Sequence, residues 1–218
     1  ACSTMIATRL PKGKAPMKLY NLQVAPNPRR VRIFLAEKGI SLPLVEIDLA
    51  RGDNRTPEFL AKNPLGLMPV LELDDGSIIS ESVAICRYFE ELQPTPPLFG
   101  TTPLERAQVE MWNRRAELEV MLPVIDVFVH THAFWKGRRR QLADYAELAR
   151  ERALKTMAWL DRELAGREFL AGGRYSMADI TLQCGLLLGK NTGTPIPDGM
   201  PNLKRWFAAV TARPTARV

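Results

Sequence analysis

Residues 93–103 read QPTPPLFGTTP, and the sequence is patterned differently on its two sides. Before this stretch, short β-like runs alternate with helical periodicities: MKLYNLQ, PRRVRIFLAEKG, LPLVEIDL, a turn-rich ARGDNRTPEF and a hairpin, PVLEL-DDG-SII. After SES, Ile85, Tyr88, Phe89 and Leu92 fall at i, i+3, i+4 and i+7, the apolar stripe of a helix. Pro28 near the first turn of the early helix and Gly39 just past its end give that helix its expected start and stop. The order is βαβ followed by ββα, an α/β layer. The proline-rich, aperiodic stretch reads as a linker. Beyond it the pattern is helical throughout. Thr102, Pro103 and Glu105 spell a capping box with proline at the first helical position. The helix they open is expected to run to Pro123 and to kink or break there. A second long helix covers about 139–164, with Ala153, Met157, Leu160 and Leu164 on one stripe. Ser176 and Asp179 make another box before ITLQCGLLL, which is apolar on nearly every face and so expected to be buried. Leu203, Trp206, Phe207 and Val210 mark a last amphipathic helix. The reading is a loose tail over 1–16, an α/β domain over 17–93, a linker over 94–103 and an all-helical domain over 104–218.

Composition removes several function classes. At 46% apolar and 25% charged, the 218 residues are ordinary for a globular chain. No apolar run approaches the roughly 18 residues that span a bilayer, and ACSTMIATRLPKGKAP lacks the apolar core of a signal peptide. Cys2, Cys86 and Cys184 are widely spaced with no C-x-x-C, so neither a disulfide framework nor a zinc site is expected. A cytoplasmic protein in a reducing compartment fits. The net charge of +6 raises nucleic acid as a partner, but the basic residues are mostly interspersed with acids. Only GRRRQ, at 137–141, is a tight cluster, and it is read as a solvated basic turn. No nucleic acid and no membrane partner is expected. A basic surface still favours small anionic ligands by long-range steering.

The junction VAPNPRRV, at 24–31, joins the first strand to the first helix and contains no serine, cysteine, histidine or tyrosine. VRIFLAEKGI, PEFLAKNPLGLMPVLELDDG, the acid–serine pair in SES and LAGGRYSMADI together resemble the cytosolic glutathione transferase family, over about residues 17–215. The resemblance points to a bacterial member without fixing a subclass. It implies a thioredoxin-like N-terminal domain and an all-helical C-terminal domain, usually assembled as a two-fold homodimer. Glutathione would be the co-substrate and a small electrophile the partner, in detoxification chemistry that needs no metal.

Glutathione carries two carboxylates and an ammonium, so its site needs anion holders at both ends. By the resemblance, Ser82 and the helix start behind it hold the γ-glutamyl carboxylate, and Glu81 orients the ammonium; simple N-capping by Ser80 is the plainer reading. Met68 before Pro69 matches the family's cis-proline turn, which presents the Met68 backbone to the cysteinyl part. Asn54 and Arg55 correspond to residues that hold the glycyl carboxylate, Arg offering a bidentate fork. Leu67 stands where many relatives have glutamine, which removes one contact. Ala25 stands where serine-type relatives carry their hydroxyl, and Tyr20 lies within the strand. Asn27 is then read in two roles: catalytic, donating to the glutathione sulfur just ahead of a helix starting at Pro28, or capping that helix. The second substrate is expected between the domains, against Met111, Trp112, Met121, Phe128, His132, Phe134 and Trp135, although such residues are more often core. His130 and His132 lack a third ligand, and Cys86 and Cys184 sit in apolar helices. Two rival functions remain: glutathione-dependent disulfide or peroxide reduction, and a noncatalytic binding member suggested by Ala25 and Leu67.

Overall fold

The computed structural model describes residues 16–218. All but the last residue of the tail expected over 1–16 thus lies outside the described residues. β1 (Lys18–Asn21), α1 (Pro26–Glu37) and β2 (Leu44–Glu46) form the parallel βαβ unit; α2 (Pro57–Lys62), β3 (Val70–Glu72), β4 (Ile78–Ser80) and α3 (Ser82–Leu92) follow. The sheet order is β2-β1-β3-β4, with β3 antiparallel to both neighbours. The registers Tyr20↔Val70 and Val70↔Ser80 set the ends of three strands side by side. Continued past the strands, they bring Pro69 and Met68 alongside Glu81 and Ser82, and all of these next to the exit of β1. Ligands of such sheets gather at that edge, outside the carboxyl ends of the parallel strands.

The rest is helical: α4 (Pro103–Ala116), α5 (Leu122–Thr131), α6 (Ala143–Glu163), α7 (Met177–Asn191) and α8 (Pro201–Thr211). α7 starts on the complete Ser176–Asp179 capping box and is buried along most of its length, as its uniformly apolar pattern predicts. Pro123 does not break the helix opened at Pro103. The chain passes through a π-helical turn, Glu117–Met121, and continues as α5. A proline clashes with the carbonyl four residues back and donates nothing to it; widening the preceding turn accommodates both defects without ending the helix.

The linker is not loose. Leu98 and Phe99 are 2% and 0% exposed. Buried Lys38, at the end of α1, pairs with Glu90 and donates to the carbonyls of Gln93 and Pro96. The ring centroid of Phe99 lies 5.7 Å from that of Phe34 on α1, and one continuous cluster of buried side chains runs from β1 and α1 through α3, α4 and α7. A second, smaller cluster of Tyr20, Ile47, Phe59 and Val70 closes the opposite face of the sheet.

Glu72 fastens that second face. It accepts from Lys62 (2.7 Å) and from the Tyr20 hydroxyl (2.7 Å), with Lys18 at 3.2 Å. The Lys62 hydrogen bond above all, then those of Tyr20 and Lys18, lowers its carboxyl from 4.5 to about 2, against the opposing effect of burial. A carboxylate depressed in the folded state stabilises above its unfolded pKa and stops doing so as pH falls through the folded one. The stability gap between the wild type and Glu72→Gln, read from denaturant midpoints, should therefore be full above pH 4.5 and close between 4.5 and about 2. A gap that does not change with pH would refute this.

Candidate functional site

The β1–α1 junction is held from three sides. Arg32 donates to Asn21 Oδ1 (2.5 Å) and to the Gln23 carbonyl (2.7 Å). Asn21 in turn donates to Glu46 on β2, whose second oxygen accepts from the Gln23 amide (3.2 Å). The helix that follows starts two residues earlier than expected. Ala25 is the N-cap, with no side-chain bond, and Pro26 opens the first turn. Proline's fixed φ suits that position, so the chain becomes helical at Pro26, and Pro28 is still within the tolerated first turn. Asn27 therefore lies inside the helix, and the reading of Asn27 as its cap is corrected.

What Asn27 does instead is accept. Arg30 Nη1 donates to its Oδ1 at 3.2 Å. A guanidinium has no acceptor, so the carboxamide oxygen is the atom turned to Arg30 and Nδ2 is left as the group's donor. Arg30 itself is 1% exposed. It also donates to Glu117 Oε1 (2.8 Å), at the head of the π-helical turn, and to Thr181 Oγ1 (3.0 Å) on α7. The Thr181 hydroxyl in turn donates to Asn113 Oδ1 on α4 (2.6 Å). A buried polar chain thus runs from the first turn of α1 into the helical half, a link the sequence spacing gave no sign of. Tyr20 is not available as a hydroxyl donor to a ligand, because its OH donates to Glu72.

At the sheet edge, the Met68–Pro69 bond is cis. Glu81 stands at the head of α3 with φ 69°, and Ser82 opens that helix. Ser80 is not the cap; Glu81 occupies that position without a side-chain bond. A non-glycine residue at positive φ costs of order 1–3 kcal/mol and tends to mark a ligand-holding position. Asn54 is largely committed: its Nδ2 donates to the Gly66 carbonyl at 2.8 Å. This pins the 63–68 turn against the 53–55 turn, while Asn63 holds the same turn through the Leu67 carbonyl (2.8 Å). Gly66 has φ 65°, and a Cβ there would lie 2.8 Å from Arg55 Nη1. The missing side chain makes room for that guanidinium.

Arg55, Met68 and Leu67 face Phe134 and Trp135 across a cleft of about 600 Å³, whose lining also includes Leu49 to Gly52, Asn54, Gly66, Arg138 and Arg139. His132 shapes the far wall: its Nδ1 accepts from the Phe134 amide (3.2 Å), capping the turn that presents the two aromatics. Phe128 backs it, 4.8 Å from the His132 ring and 6.0 Å from Trp135. His130 Nδ1 likewise accepts from the Leu142 amide.

Three of the expected wall residues lie elsewhere. Trp112 is 5% exposed, stacks on Trp159 at 5.3 Å and borders a separate hollow with Arg167. Met121 is buried against Gly185, and Met111 stands 40% exposed on α4, outside the cleft lining. Trp112 and Met121 thus belong to packing, and Met111 to the exposed face of α4, rather than to the cleft. Arg138 and Arg139 are exposed, as expected of a solvated basic turn, and they also border the cleft. Arg138 lies 4.5 Å from the Phe134 ring centre and donates to the Leu49 carbonyl at 3.3 Å; Arg139 lies 5.4 Å from that of Trp135. The signal was the spacing of four that separates each arginine from its ring.

The thiol groups of Cys86 and Cys184 are raised by burial, the latter to about 12, so neither competes as a nucleophile. Among the described residues, no helix is long and apolar enough to cross a membrane.

Residues 24–92 match a family model described as "Glutathione S-transferase, N-terminal domain", and residues 119–214 one described as "Glutathione S-transferase, C-terminal domain". The chain is 40% identical over 211 residues to Glutathione S-transferase 2 of Saccharomyces cerevisiae, covering 94% of this chain and 90% of that one. Among solved structures, it is similar to Gtt2 from Saccharomyces cerevisiae, with TM-score 0.87 and 39% identity over 92% of this chain and 98% of that one. A glutathione S-transferase domain-containing protein from Marinobacter aquaeolei VT8 matches with TM-score 0.86 and 41% identity, over 91% and 98% respectively.

Proposed function

The chain belongs to the glutathione S-transferase family and is a glutathione-dependent transferase; we propose that it activates the bound thiol through Asn27 and the start of α1, for attack on a small electrophile. Glutathione supplies the thiolate nucleophile when bound. Ser82 and the free N–H groups of α3 hold its γ-glutamyl carboxylate, Glu81 its ammonium, the Met68 backbone its cysteinyl part and Arg55 its glycyl carboxylate. The cleft lined by Met68, Arg55 and the Phe134–Trp135 wall supports the cysteinyl and glycyl part of this placement; Asn27, Glu81 and Ser82 lie outside its lining.

The observation that carries the reading is the orientation of Asn27: with Oδ1 engaged by Arg30, the atom left free is a donor. Bringing a thiol from about 8.5 to about 6.5 takes a preference for the thiolate of about 2.7 kcal/mol. A hydrogen bond to a charged acceptor is worth about 1.5–3 kcal/mol, and a helix N-terminus adds up to about 2 in a partly buried geometry. One amide and one helix end are thus sufficient without a hydroxyl. The residues hold the sulfur deprotonated; the thiol proton leaves to solvent, and the new bond to the electrophile forms as the leaving group departs with its electron pair.

Asn27→Ala should lower conjugation turnover at pH 6.5 by about 5- to 50-fold and raise the ionisation midpoint of the bound thiol, read from thiolate absorbance, by about one to two units. An unchanged midpoint and rate would defeat the assignment. A second reading, disulfide or peroxide reduction with two glutathiones, is favoured by Ala25, which puts a methyl at the junction where a hydroxyl would serve conjugation. Parallel rates with an aryl halide and a mixed disulfide decide it: strong disulfide turnover with negligible conjugation selects the second reading.

A further inference from the structure

The cleft carries more positive charge than glutathione can use. Its lining includes Arg51, Arg55, Arg138 and Arg139 and no acidic residue. Among the described residues, Arg138 and Arg139 have no acidic partner, and Arg51 meets only Asp53, at 3.9 Å with its own side chain 78% exposed. In the placement above, the γ-glutamyl carboxylate and the ammonium are taken up at Ser82 and Glu81. A single glycyl carboxylate then reaches this end, and one fork, Arg55, satisfies it. Three guanidinium groups are left over.

Two of these, although exposed, make contacts at the edge of the cleft. Arg138 is tied to the Leu49 carbonyl across the cleft and rests on Phe134; Arg139 rests on Trp135. A guanidinium set beside a ring keeps its N–H groups for a planar acceptor. In the same wall, Trp135 Nε1 is buried and has no hydrogen-bond partner.

We propose that the second substrate of this transferase is itself an anion, a planar electrophile bearing a carboxylate or sulfonate that Arg138 and Arg139 receive against the Phe134–Trp135 wall. The inference rests on the transferase reading. For an aryl chloride the step balances simply: the C–S bond forms, chloride leaves with the C–Cl pair, and the thiol proton goes to solvent.

The test uses a matched pair, neutral 1-chloro-2,4-dinitrobenzene and anionic 4-chloro-3,5-dinitrobenzoate, each rate divided by its uncatalysed rate with glutathione. The anion should be favoured in kcat/KM by about tenfold or more at low salt, and the preference should shrink at about 0.5 M salt. In Arg138→Gln/Arg139→Gln the preference should fall about tenfold, while KM for glutathione stays within about twofold of wild type. Equal corrected rates at low salt would overturn the proposal and leave the transferase reading intact. So would a rise in KM for glutathione with the preference unchanged, because the arginines would then serve glutathione's own carboxylate. No conjugation of either chloride would instead defeat the conjugating reading on which the proposal stands.

Discussion

Glu117→Ala is expected to cost about 3–5 kcal/mol of stability, because it strands a buried cation rather than removing a surface ion pair. The Arg30 side chain is 1% exposed, and its carboxylate partner Glu117 is at 2.8 Å. The remaining partners, Asn27 Oδ1 and Thr181 Oγ1, are neutral, and Arg30 Nε is already without an acceptor. For cooperative unfolding of a chain this long, the loss corresponds to a fall in Tm of about 6–20 °C. A loss below about 1 kcal/mol would show that water reaches the guanidinium after all. The double replacement Arg30→Met/Glu117→Leu separates packing from function. Exchanging a buried pair for apolar groups is often neutral, so most of the lost stability should return. Activity should not return with it, because nothing then engages the Asn27 oxygen and leaves its Nδ2 as the donor. The double variant should show the raised thiol midpoint of Asn27→Ala in a stably folded protein. Recovery of both stability and thiol midpoint would make Arg30 purely structural.

The parts of this architecture that were legible in the sequence are those fixed by neighbouring residues. The Thr102 cap and the Ser176–Asp179 box each depend on side chains within a few positions, and the structure shows them. The site was less legible for three physical reasons. Pro26 and Pro28 both suit a first turn, so the sequence alone did not say which one opens α1, and Asn27 changed from a cap to an interior residue on that choice. Trp112 and Met111 have the composition of a pocket wall, but α4 is kept from the cleft by packing against α7 and, through Trp159, α6, far away in sequence. Arg30 and Glu117 are 87 residues apart, and no local pattern announces that they meet. The linker shows the converse: QPTPPLFG is composed like a flexible spacer, yet Leu98 and Phe99 fill the seam between the two halves.

Asp179→Ala should be comparably damaging, by at least about 3 kcal/mol, since it removes the acceptor for four buried donors. Oδ1 accepts from the Leu170 amide (3.0 Å) and from Trp206 Nε1 (3.0 Å); Oδ2 accepts from the Ser176 amide (3.0 Å) and hydroxyl (2.9 Å). One carboxylate thereby joins the start of α7 to the turn before it and to α8, whose Trp206 is 2% exposed. The pH dependence has the opposite sign from that of Glu72. Burial raises the carboxyl from 3.8 to about 6, and the four hydrogen bonds act against that rise. A carboxyl raised in the folded state is more easily ionised in the unfolded chain, so its ionisation between pH 3.8 and 6 subtracts stability. The gap between wild type and Asp179→Ala should therefore be widest near pH 4 and narrower at pH 7. Asp179→Asn refines the test. Its single oxygen can keep Leu170 and Trp206, and the Ser176 hydroxyl can turn to accept from the new NH₂, but the Ser176 amide is left facing another donor. One orphaned amide instead of four lost bonds predicts an intermediate Tm. If Asn is as damaging as Ala, the Ser176 amide contact dominates the box; if it is harmless, the hydrogen bonds on Oδ1 alone hold α7 and α8 together.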